Sequence, residues 1–128
     1  MIGLVLVSHS KTLAEGVAEL ARTMGVGKAV VEPAGGDADG GLGTSIEVVE
    51  DALERARAVG GEGIVLLADI GSSVLTAKLV IDEAVGDVVL ADAPLVEGAV
   101  AAASMAATGA DLGAVVAAAE SAYDHRKS

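Results

Sequence analysis

The sequence has no cysteine, phenylalanine or tryptophan, a single tyrosine, Tyr123, and two prolines, Pro33 and Pro94. Without cysteine there can be no disulfide, no thiolate nucleophile and no Cys-ligated zinc. One aromatic ring leaves nothing to stack on a nucleobase or to wall a flavin. Positive charge is scarce as well: 8 Lys and Arg stand against 19 Asp and Glu, a formal charge of −11. Such a polyanion repels phosphate backbones, so no nucleic-acid partner is expected, and a protein partner with a basic face is favoured. The only histidines are His9 and His125. A single imidazole among scattered carboxylates makes a poor metal site, and none is expected. Long apolar runs are missing too. The first apolar stretch is too short for a signal-peptide core and has no basic region before it, and Glu97 and Asp111 interrupt the Ala-rich C-terminal region. The expectation is a cytoplasmic protein without membrane insertion.

What remains is a chain of 128 residues, 52% hydrophobic and 21% charged, suited to one compact domain. We place that domain over residues 1–124, with a polar tail from His125 to Ser128. Ile2 to Val7 is apolar on both faces, the pattern of a strand covered on both sides in a parallel sheet. A helix follows Thr12, with Leu13, Val17, Leu20 and Met24 on one stripe, Ser10 or Thr12 as its cap and Gly25 as its stop. Lys28 to Glu32 reads as a second strand ended by Pro33, and Ala34 to Gly43 as a glycine-rich loop. Thr44 or Ser45 caps a second helix that buries Ile46, Val49, Leu53 and Ala56 and stops at Gly60-Gly61. Gly63 to Ala68 is the third strand, and Asp69 to Ser73 turns into a helix that includes Val74, Leu75, Leu79 and Ile81. Asp87 to Ala91 is the fourth strand. Beyond Pro94 come two Ala-rich helices, Leu95 to Thr108 and Leu112 to Tyr123, divided by Gly109, with Asp111 as a cap. Strand and helix alternate, with room for right-handed crossovers. The predicted class is α/β, a three-layer flavodoxin-like domain with a mainly parallel four-stranded sheet and helices on both faces.

In such a sheet, ligands gather at the carboxyl ends of the strands. Three loops meet there: Ser8-His9-Ser10, the glycine loop with Gly43-Thr44, and Asp69-Ile70-Gly71-Ser72-Ser73. Together they supply one imidazole, one carboxylate, hydroxyls and backbone amides at helix starts, a set suited to an anionic phosphoryl group. A carboxylate on one imidazole nitrogen fixes the tautomer and leaves the other nitrogen as a nucleophile. Asp69 is the candidate partner for His9; the alternative for Asp69 is a helix N-cap, and for His9 a loop hydrogen bond. Lys11 is either a phosphate contact or a solvated lysine at a helix start. Ile70-Gly-Ser-Ser-Val74 does not fit the G-x-S-x-G of a serine hydrolase, and no P-loop motif occurs.

Val7-Ser-His-Ser10 followed by Leu13-Ala-Glu-Gly-Val17 resembles the mannose-type enzyme IIA proteins of the phosphoenolpyruvate-dependent phosphotransferase system. Asp69-Ile-Gly-Ser72, Ala93-Pro-Leu-Val-Glu-Gly98 and the Gly43-Thr44 step are similar to the branch serving bacterial dihydroxyacetone kinase. The resemblance implies that His9, assisted by Asp69, accepts a phosphoryl group from the phosphohistidine carrier HPr on the ring nitrogen distal to the attachment point. His9 would then pass it to ADP on the nucleotide-binding subunit of the kinase, which works with a dihydroxyacetone-binding subunit; no cofactor is implied. Ser72 and Thr44, with Ser8, Ser10, Gly43 and Gly71, are the implied phosphoryl-binding residues. A homodimer is also implied, with the apolar last helices as its interface, and the donor is expected to be a separate protein. Alternatives are the enzyme IIA of a mannose-type sugar transporter, a non-catalytic regulator controlled by phosphorylation, and a plain scaffold.

Overall fold

The computed structural model describes residues 1–60 and 62–128; Gly61, expected to end the second helix, lies outside them. The elements follow in the order β1 (Ile2–Ser8), α1 (Lys11–Met24), β2 (Val30–Gly35), α2 (Ile46–Ala58), β3 (Gly63–Ala68), α3 (Ser72–Glu83), β4 (Val88–Leu90), α4 (Leu95–Ala106) and α5 (Leu112–Ser121), closed by a 3-10 turn over Ala122–Asp124. The four strands pair in parallel in the order β2-β1-β3-β4. This is the doubly wound, flavodoxin-like arrangement. The order in which strands are added reverses between β1 and β3, and the crevice there is where such folds bind ligands.

Every residue of β1 and β3 is buried, as continuous aliphatic runs require when helices cover both faces. One core layer joins Leu4, Leu6, Val65 and Leu67 to α1, α4 and α5; the other joins Val5, Val7, Ile64 and Leu66 to α2 and α3. Among the described residues no helix is long and apolar enough to cross a membrane.

Several boundaries and faces differ from the sequence reading. α1 turns Ala14, Val17, Ala18 and Ala21 to the sheet and leaves Leu13, Leu20 and Met24 exposed. Small side chains let the helix lie close against β1 and β2, and the larger ones fall on its flank. Likewise Ile46 is exposed while Ala52 joins Val49, Leu53 and Ala56 in the core, and Leu75 and Leu79 of α3 are exposed. β2 begins and ends later than expected and runs through Pro33, which pairs with Leu6. Proline lacks only a ladder donor, a loss that an edge strand tolerates. β4 is shorter than expected, and α4 stops at Ala106. Ser10, Ser45 and Asp111 cap their helices by accepting from Leu13 N, Val48 N and Ala114 N.

Candidate functional site

Strand pairing of Val7 with Ala68 brings the ends of β1 and β3 side by side, and the residues that follow meet immediately. The Asp69 amide donates to the Val7 carbonyl at 3.0 Å, which turns the Asp69 carboxylate back over β1. Its Oδ2 accepts from the Ser8 hydroxyl at 2.8 Å and from the His9 amide at 3.0 Å. Its Oδ1 accepts from the Ile70 amide at 2.7 Å and the Ser73 hydroxyl at 2.5 Å, and lies 3.0 Å from His9 Nδ1. The Asp69 side chain is 14% exposed. Burial alone would raise its pKa, but the donors Ser73, His9, Ile70 and Ser8 outweigh that cost and hold the carboxyl well below the usual range. Asp69 is therefore an anion whose proton-accepting edge faces the imidazole. It does not cap α3, whose N-cap is Gly71, at φ +50° and with no side-chain cap bond.

On the other side of the ring, His9 Nε2 lies 2.8 Å from Ser72 Oγ. With Nδ1–H held on Asp69, Nε2 keeps its lone pair and accepts from the Ser72 hydroxyl. The His9 side chain retains 30% exposure, so a macromolecule can reach Nε2 from the edge of the sheet. The glycine loop is tied to the same place, because the Gly43 amide donates to the His9 carbonyl at 2.9 Å. Thr44 follows directly; its Oγ1 accepts from Thr76 at 3.0 Å, which leaves its own proton to donate elsewhere.

A family model described as the PTS system fructose IIA component (EIIA-man) matches residues 3–116. The chain belongs to that IIA family. Among its relatives is the phosphoryl donor subunit DhaM of the PEP-dependent dihydroxyacetone kinase of Escherichia coli, 37% identical over 123 residues that make up 91% of this chain and 26% of the relative. The chain thus spans about a quarter of that longer protein. The phosphoryl donor subunit DhaM of dihydroxyacetone kinase 2 from Listeria innocua is closer in length: 40% identity over 108 residues covers 80% of this chain and 84% of the relative. A crystal structure of a protein of unknown function, EF1359, superposes with a TM-score of 0.79 at 34% identity, covering 93% of this chain and 92% of that one.

In this IIA domain, then, His9, Asp69 and Ser72 form one hydrogen-bonded cluster, with Gly43 attached through the His9 backbone. Gly71, at positive φ, starts α3 directly before Ser72. Of the two serines that flank His9, Ser8 is the one turned inward. The Ser8 hydroxyl is 1% exposed and directed at Asp69, and it also accepts from the Ser10 amide at 3.1 Å; Ser10 Oγ is occupied by the Leu13 amide at 3.1 Å. Lys11 pairs loosely with Glu15 at 4.0 Å in solvent. Sequence reading passed over Ser73, whose signal was its place four residues after Asp69, one helical turn away. Around the cluster, Leu42, Ile70 and Leu75 are 81%, 72% and 63% exposed. Leu42 and Ile70 on the loops that meet His9 and Leu75 in the first turn of α3 form an apolar collar.

Proposed function

We propose that the chain is a phosphohistidine relay: His9 takes a phosphoryl group from HPr and delivers it to ADP held by the nucleotide-binding subunit of a dihydroxyacetone kinase, whose partner subunit binds dihydroxyacetone. The observation that carries this reading is the imidazole itself. Nδ1 lies on a carboxylate that stays ionised, and Nε2 is turned to the surface beside a hydroxyl. That arrangement makes Nε2 a nucleophile.

In the first half-reaction the Nε2 lone pair attacks the phosphorus carried by the donor, the donor's N–P bond breaks, and the Nε2–P bond forms. Nδ1–H remains on Asp69, whose negative charge offsets the positive charge developing on the ring. Ser72 loses its acceptor as Nε2 bonds to phosphorus, and its hydroxyl swings to a phosphoryl oxygen; Thr44 supplies a second donor from the glycine-loop side. In the second half-reaction a terminal oxygen of ADP attacks in line, the Nε2–P bond breaks, and the lone pair returns to Nε2. Catalysis here is positioning and charge stabilisation. The hydroxyls of Ser8 and Ser10 serve the scaffold in this scheme, one orienting Asp69 and the other starting α1.

Both partners present their phosphorus or acceptor oxygen at one exposed nitrogen, so both dock over the same apolar collar. Asp37 and Asp39 of the glycine loop add negative charge beside it, matching a partner with a basic rim. We further propose a homodimer through the last helices, α4 and α5, where Val96 and Met105 are exposed.

The test is phosphoryl transfer with purified components. The protein is incubated with phosphoenolpyruvate, enzyme I and HPr, followed by intact mass, and then given the ADP-loaded kinase subunit. Uptake of one acid-labile phosphate and its loss to ADP is expected. Phosphate gained and retained would overturn the kinase assignment in favour of a sugar-transport or regulatory role. His9→Ala should fold and take up no phosphate; relay at the wild-type rate in that variant would overturn His9 as the carrier.

A further inference from the structure

Ser73 makes the tightest side-chain contact in the site, yet no solvent or ligand reaches it: it is 0% exposed beneath the imidazole. Its Oγ stands 2.5 Å from Asp69 Oδ1 and 3.0 Å from His9 Nδ1. A hydroxyl has one proton, and an ionised carboxylate can only accept. The Ser73 proton is therefore committed to Asp69. What Ser73 offers Nδ1 is then a lone pair, and that contact is a hydrogen bond only if Nδ1 carries the proton. Nδ1 thus faces two acceptors, Asp69 Oδ1 and Ser73 Oγ, and no donor.

We propose that Ser73 is a positioning residue for His9, a second acceptor that locks the imidazole in the Nδ1–H tautomer and keeps the Nε2 lone pair available at the surface. Asp69 and Ser72 hold one nitrogen each; the second acceptor at Nδ1, on the α3 side, continues to fix the ring plane when Ser72 turns to a phosphoryl oxygen. Ser73 has a further effect through the carboxylate, because its donation keeps Asp69 oriented toward the ring rather than toward solvent. The serine's backbone is occupied separately, its amide donating to the Ile70 carbonyl at 3.1 Å, so replacing the hydroxyl leaves the helix start intact.

This inference deepens the relay reading and rests on it for its purpose, but its test does not need phosphate. Uniformly 15N-labelled protein reports the two ring tautomers of unphosphorylated His9 by their nitrogen shifts at a pH where the ring is neutral. Losing one hydrogen bond to Nδ1–H should raise the Nε2–H to Nδ1–H ratio about fivefold in Ser73→Ala. Ser73→Cys, close in volume but with a weak donor and acceptor, should lie between the two and carries the test if the Ala variant fails to fold. Phosphoryl uptake from HPr should show a lowered kcat and an unchanged KM for the donor. A tautomer ratio unmoved in the folded variants would overturn the role of Ser73. A shifted ratio with no phosphate uptake by wild type would support Ser73 and overturn the relay instead.

Discussion

Asp69 accepts from four donors before the imidazole is counted, and its folded pKa is depressed as a result. A carboxyl that binds its proton less readily in the folded than in the unfolded state stabilises the fold at pH above the ordinary carboxylate value. That stabilisation is lost as pH falls toward the depressed value. Asp69→Asn places an amide nitrogen against hydroxyl or amide donors and should cost about 1–3 kcal/mol at neutral pH by urea denaturation. The gap in Tm between wild type and Asp69→Asn should narrow as pH drops from about 5 to about 2. A constant gap would mean that the ionised carboxylate is not the stabilising form. At this scale the sequence was legible for residues whose chemistry matches their location: His9 and Asp69 end adjacent strands, and adjacency makes them partners. It was not legible for the serines. Ser8, Ser10, Ser72 and Ser73 are chemically identical, and only the direction of each side chain decides whether its hydroxyl serves the carboxylate, a helix end or the surface.

The elements hold those residues in place through close backbone approaches. A Cβ built on Gly35, at the end of β2, would strike the Ser10 carbonyl oxygen and stand 2.8 Å from both Ala14 Cβ and Lys11 Cα. Gly35→Ala must therefore push the first turn of α1 away from β2. Overpacking of this kind costs about 1–3 kcal/mol, and because Ser10 follows His9 directly, the variant should also slow phosphoryl uptake. By contrast, Asp111→Ala removes the cap of α5, whose first residue packs near Gly63 at the end of β3 far from Asp69, and should cost about 1 kcal/mol without touching transfer. Comparing denaturant midpoints with transfer rates for the two variants separates these effects. Strand and helix order was readable because buried parallel strands are continuous aliphatic runs and the connections are punctuated by Gly, Pro and capping Ser. Helix faces were less readable. An alanine-rich helix lying close to a sheet buries its small residues, so the large-residue stripe Leu13-Leu20-Met24 indicated the flank of α1 rather than its core face. The limits of β2 were misjudged because Pro33 ends a strand only where its missing donor would be needed.

Across the whole molecule, an apolar collar sits on a body of charge −11. Docking should accordingly show two separable components. Raising ionic strength should slow association with a basic carrier, because steering is screened, while leaving the rate of the chemical step unchanged. Leu75→Glu, on an exposed position of α3, should leave Tm within about 2 °C of wild type and weaken donor binding about fivefold or more. The same measurement on Val85→Glu, which is 79% exposed and on the turn before β4, should show no change in transfer. The site's attachment to the two central strands has a kinetic consequence as well. The amides of His9 and Asp69 are bonded to Asp69 Oδ2 and the Val7 carbonyl, so their protons reach water only when the contacts that join the ends of β1 and β3 open. In deuterium oxide they should be retained as long as core-strand amides, whereas those of Asp39 and Gly41, bonded to the Asp37 side chain within one exposed turn, should exchange within the dead time of mixing. The reacting residue would then reside on the slowest-opening part of the chain, with the fastest-opening part as its neighbour.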